Sequence, residues 1–82
     1  MKAHKITVHG PVIVRVRLDA QASVLLLDPA NYSNFQQGQP YKYMGGWYTH
    51  NPVEIPVPCS GDWYILVGTN GNGRVRYTVD IV

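Results

Sequence analysis

The run Val12-Ile13-Val14-Arg15-Val16-Arg17-Leu18 constrains this chain more than any other segment. Val12, Val14, Val16 and Leu18 recur at every second position, and Arg15 and Arg17 fill the gaps. A strand sends successive side chains to opposite faces, whereas a helix would scatter both sets around its circumference. The segment is therefore a strand with one apolar and one charged face, and the apolar face demands a second layer. The pattern recurs. Val75, Tyr77, Val79 and Ile81 alternate with Arg74, Arg76, Thr78 and Asp80, and Val53, Ile55 and Val57 alternate with Glu54 and Pro56. Pro56 has no N–H for a ladder, which places its strand at a sheet edge or a bulge.

Turn chemistry separates these runs. His9-Gly10-Pro11 and Asp19-Ala20-Gln21 flank the second strand. Gly45-Gly46 lies between two aromatic runs and reads as the tight turn of a hairpin. Asn70-Gly71-Asn72-Gly73 reads as the turn into the last strand, since a phosphate-binding loop would need a helix after it. The expected strands span 3–8, 12–18, 22–28, 40–44, 47–50, 53–57, 62–68 and 74–81. Many short strands with frequent turns indicate an all-β sandwich, here jelly-roll-like and occupying 1–82 as one domain. One segment departs from the period of two. Asp28 can cap a helix, Pro29 suits its first position, and Tyr32 and Phe35 would share a face, so a short helix is expected near 29–36. Gly38 can end it.

Composition narrows the function classes. With 82 residues the core is small, and Cys59 is the sole cysteine, so no intrachain disulfide staples it. A lone thiol fits a reducing compartment. No apolar stretch follows Lys2-Ala3-His4-Lys5, and the longest apolar runs are far too short to span a bilayer, so a cytoplasmic location is expected. Charged residues make up 15% of the chain and the net charge is +2, with no polybasic run of the kind that binds duplex nucleic acid.

One ordered set of residues resembles a known family. Asn31-Tyr32-Ser33-Asn34-Phe35, Gly38, Tyr43, Gly45-Gly46, Pro52-Val53, Ile55-Pro56-Val57-Pro58, Gly61-x-Trp63 and Arg74-Val75-Arg76 look like the bacterial domain-of-unknown-function family numbered 1883. The resemblance implies a small jelly-roll sandwich. Some members are joined to TIR domains, which implies a recognition or sensing role in stress or immune signalling. It carries over no catalytic or binding positions. Cys59 and Gly68 depart from the family pattern, the latter where an acid is expected.

The residues themselves offer several constellations. His4, His9, His50, Cys59, Glu54 and Asp62 have no metal-ligand spacing, and neither metal nor cofactor is expected. Cys59 with His50 would make a nucleophile and base, but no third group orients them, and the chain is not expected to be an enzyme. Tyr41, Lys42, Tyr43, Trp47, Tyr48 and His50 surround the glycine pair. Neighbours on a strand face opposite ways, so at least one large ring must leave the core, where it can stack on a sugar, a base or a partner's side chain. Arg15, Arg17, Arg74 and Arg76 would form one anion-binding patch if the second and last strands were neighbours. Finally, Val24-Leu25-Leu26-Leu27 and Trp63-Tyr64-Ile65-Leu66-Val67 are apolar on both faces. Such strands need cover on both sides, from the helix, a loop or another subunit, and a homo-oligomer is expected.

These readings combine into a non-enzymatic binding or sensing module for a protein or carbohydrate-like ligand. Its surface would comprise the aromatic group, Tyr32 and Phe35, and the arginines. The alternatives are a binder of a small phosphorylated signalling nucleotide, a structural homo-oligomer, and, last, a Cys59/His50 enzyme.

Overall fold

The structure, a computed structural model, describes residues 2–69 and 75–82. Strands β1 (Lys2–Val8), β2 (Val12–Leu18) and β3 (Ala22–Leu27) lead into helix α1 (Pro29–Gln36). Strands β4 (Met44–Tyr48), β5 (Val53–Val57), β6 (Gly61–Gly68) and β7 (Tyr77–Ile81) follow. They form two antiparallel sheets in the orders β1-β6-β3-β4 and β5-β2-β7. The chain changes sheet at every connection except β3 to β4. This is an all-β sandwich with one short helix. The turn expected at Asn70–Gly73, and the start of the last strand at Arg74, lie outside the described residues.

Alternation builds the core as expected. Val14 and Val16 from β2, Val53 from β5, and Val24 and Ile65 from β3 and β6 meet between the sheets and are almost wholly excluded from water. Among the described residues, no polar or charged residue is buried. Pro56 sits on edge strand β5, where its missing N–H costs no ladder bond. Ile81 has the core-facing register, opposite Val14, yet is 48% exposed. It lies at the end of edge strand β7, past the cover of the facing sheet.

A second, smaller core lies on the outer face of the four-stranded sheet. Leu25, Leu27 and Leu66 are buried there beneath Tyr32, Phe35 and Tyr41. The Tyr32 ring stacks on Tyr64 with centroids 3.9 Å apart. So α1 and the segment after it supply the cover that the two-sided strands require. The reason for expecting a partner subunit there is met within the chain. Asp28 caps α1 by accepting the Asn31 N–H at 2.8 Å, and Gly38, at φ +71°, follows its last turn.

The expected hairpin at Gly45-Gly46 is not formed. Both glycines lie inside the single strand β4, paired with Leu25 and Val24 of β3. Residues 40–43 are not a strand. Tyr41 packs into the outer core, and the Lys42 N–H donates to Asn31 Oδ1 at 2.7 Å. The glycines serve close approach instead of turning. Gly45 has φ +111°, and a Cβ there would lie 2.1 Å from the Val24 carbonyl oxygen. The crossing from β4 to β5 is pinned by Asn51. Its side-chain Oδ1 accepts the Leu18 N–H at 2.6 Å, and its Nδ2 donates to the Leu18 carbonyl. Continuing the β2–β5 register would bring Leu18 opposite Asn51, so the side-chain amide takes over where the backbone ladder stops.

Two stability measurements test this description. Gly45→Ala should lower unfolding free energy by about 1–3 kcal/mol in urea denaturation, through strain and the clash with Val24. Gly10→Ala meets nothing within 4 Å and should stay within about 0.5 kcal/mol of the wild type. A hairpin turn at Gly45 would tolerate Asn, so equal stability of Gly45→Asn and wild type would contradict the strand assignment. Leu27→Ala removes a side chain that is 1% exposed and should cost about 2–5 kcal/mol, as a core truncation does.

Candidate functional site

The aromatic residues divide between core and surface according to strand register. Ala22 and Leu26 face the inner core, and their partners Tyr48 and Met44 do the same. Ser23, between core-facing neighbours, points outward, and so does its partner Trp47. Trp47 is 44% exposed. Tyr43, just before β4, is 52% exposed, with its ring 5.9 Å from that of Tyr41. Tyr41 in turn meets Phe35 edge-on at 5.3 Å, and Phe35 lies 6.3 Å from Tyr32. A continuous file of rings, Tyr64-Tyr32-Phe35-Tyr41-Tyr43, therefore runs from sheet to solvent. Tyr43 is its free end, and Trp47 stands on the same outer face.

This sorting reassigns several of the expected ligand-binding residues. Tyr32, Phe35 and Tyr41 are half-buried and pack on the outer leucines, so their apolar area is largely committed to the fold. Tyr48 packs on the inner core, with exposed His50 edge-on to its ring at 5.8 Å. Tyr43, Trp47 and the exposed Lys42 remain available to a partner. The Asp28–Asn31–Lys42 hydrogen bonds hold the segment carrying Tyr41 to Tyr43 against α1. The anchoring role of Asn31 has no signal in the sequence, because its partner is eleven positions away and no periodicity links the two.

Arg15 and Arg17 lie on the outer face of the three-stranded sheet. The second and last strands are neighbours, as a shared patch requires. Arg15, however, stands between Glu54 of β5 and Asp80 of β7 in the register. Its guanidinium donates to Glu54 Oε2 from Nε at 3.2 Å and from Nη2 at 3.0 Å. The next row holds Arg17 beside Thr78, and the row on the other side is apolar, with Pro56, Ile13 and Val82. Arg76 lies before β7 with its backbone tied to Asp19, and Arg74 is outside the described residues. The face is a mixed row of charges, and Arg15 belongs to an ion pair.

Cys59 and His50 are not brought together. They flank β5 on opposite ends, and a strand of 5 residues holds its ends roughly 13 Å apart. Exposed Cys59 offers its carbonyl to the Trp63 indole N–H at 3.2 Å. Among the described residues, no three His, Cys, Asp or Glu side chains gather where they could hold a metal ion. No helix among them is long and apolar enough to cross a membrane.

Fold and surface together define a small two-sheet β-sandwich with a helix-covered outer face and an aromatic group at one sheet edge. The chain belongs to the DUF1883 family, described as a domain of unknown function, whose model matches residues 4–82. No curated protein and no solved structure shows a significant match.

The Arg15–Glu54 pair is half open to solvent, so Arg15→Ala should change stability by no more than about 1 kcal/mol. Thermal or urea unfolding of that variant checks it. A larger loss would mean that the charged row holds the sheet together.

Proposed function

We propose that this domain is a non-catalytic recognition module that binds a partner protein through Tyr43 and Trp47, with Lys42 at the rim. The observation that supports it most is the exposure of these two rings beside a layer whose other aromatics are half-buried against the outer leucines. Tyr and Trp are favoured anchors of protein interfaces because they bring large area at low conformational cost. The strand between them adds a second reason. β4 reads Met-Gly-Gly-Trp-Tyr and carries neither charge nor proline, although it is a sheet edge. The other edges carry Lys2 and Lys5 on β1, Glu54 and Pro56 on β5, and Asp80 on β7. Edges are commonly guarded in this way, and an unguarded one suits strand addition by a partner.

A sensing role in bacterial stress or immune signalling is consistent with family resemblance to TIR-linked domains, and rests on that analogy. Stacking of a sugar on Trp47 uses the same exposed ring and is the second reading.

Trp47→Ala and Tyr43→Ala should keep the wild-type melting temperature, since both rings are half in solvent. Immobilised wild-type domain should retain a specific protein that either variant releases, and cross-linking should map the contact to Met44–Tyr48. Retention of the same partner by Trp47→Ala at undiminished affinity would reject this surface. Binding on a glycan array that Trp47→Ala abolishes would favour the sugar. Light scattering reads whether the partner is a second copy of the chain.

A further inference from the structure

The inner register of β1 is broken at its start. Ile6 and Val8 face the inner core and are buried. Continuing the alternation places His4 and Lys2 on the same face. Their antiparallel partners confirm it, because His4 lies opposite Ile65 and Lys2 opposite Val67, both core residues. Two basic side chains thus occupy positions where the pattern calls for apolar ones. Departures of this kind concentrate at functional sites.

What they face is a groove. β1 and β7 are the outer strands of their sheets, and β4 and β5 approach each other on the opposite side. Between Lys2 and His4 on one wall and Val75, Arg76, Tyr77 and Val79 on the other lies a space of about 410 Å³. That falls within the range typical of small-molecule sites. Ion pairs among the described residues join Lys5 to Asp62 and Arg15 to Glu54, and Lys2, His4 and Arg76 belong to neither. The nearby Asp19 carboxylate is engaged with the backbone N–H of Arg76 at 2.8 Å, which fixes the wall at that point.

We propose that this groove binds a small phosphorylated molecule of mononucleotide size. Lys2 and His4 meet its phosphate, with Arg76 at the rim, and Tyr77, Val75 and Val79 form an apolar bed for the rest. Ammonium, imidazole and guanidinium groups are all donors to phosphate oxygens, and none of the described residues that line the groove is a carboxylate that would oppose an anion. The site is separate from the Tyr43–Trp47 surface and does not depend on it.

Inward-pointing charges also discourage edge pairing, and that role alone needs no ligand. Titration of the full chain with AMP, followed by melting temperature and amide NMR shifts, separates the two. AMP at millimolar concentration should raise the melting temperature progressively, by mass action, and shift the amides of Lys2, His4, Arg76 and Tyr77. Added salt should weaken the effect. Adenosine, lacking the phosphate, should bind at least roughly tenfold more weakly, as should AMP to the double variant Lys2→Gln/Arg76→Gln. Trp47→Ala should bind AMP like the wild type. The proposal is overturned if AMP moves neither the melting temperature nor those amides, if the shifts map elsewhere, or if adenosine matches AMP. Self-association of Lys2→Val/His4→Val, with a wild type silent to AMP, would assign the charges to edge protection. Should the double variant misfold, the wild-type shift map and the adenosine comparison still decide.

Discussion

Everything in this domain depends on burying both faces of β3 and β6. Alternation normally gives a strand one wet face, but Leu25 and Leu27 on β3 and Leu66 on β6 are as apolar as the neighbours that point the other way. A domain of 82 residues with one cysteine has no disulfide to fall back on, so the additional leucine layer enlarges a core that would otherwise be thin. The cover comes from nearby in sequence. Only Asp28 separates β3 from α1, and that residue caps the helix it introduces. Chain direction, capping and burial are thereby settled within a few positions of one another.

The cost of that cover is that most aromatic residues are occupied. Six tyrosines and two tryptophans look like a rich binding surface when counted along the chain. Once placed, Tyr64, Tyr32, Phe35 and Tyr41 form one packed file, and Tyr48 and Trp63 line the inner core. The surface reading therefore narrows to the two rings that pack least. The same sorting separates paired from unpaired charge, since Arg15 is held by Glu54, while among the described residues neither ion pair includes Lys2 or Arg76 of the groove between β1 and β7.

What was legible in the sequence was whatever is local. The alternation of Val12 to Leu18 gave the right inner face, Pro56 marked an edge, and Asp28-Pro29 marked the helix start. What was not legible depends on pairing across the chain. Gly45-Gly46 carries a genuine hairpin signal, but the backbone between Tyr41 and Tyr48 gains more by pairing with β3 and anchoring to Asn31 than by folding on itself. The acids beside Arg15 were likewise invisible, because Glu54 and Asp80 are 39 and 65 positions away in the chain, and only the register reveals them. The inward parity of Lys2 and His4 is legible in the sequence too, by extending the alternation of Ile6 and Val8 backwards along β1.

The Asn51 clamp has a consequence for recognition. By gripping Leu18 through both its donor and its acceptor, this one amide fastens the exit of β4 to the middle strand of the opposite sheet. At the other end, Lys42 is moored to α1. The backbone that carries Trp47 thus belongs to a segment tethered fore and aft to different layers. Backbone already ordered in this way has little conformational freedom left to lose, which is the part of an association cost that preorganisation removes.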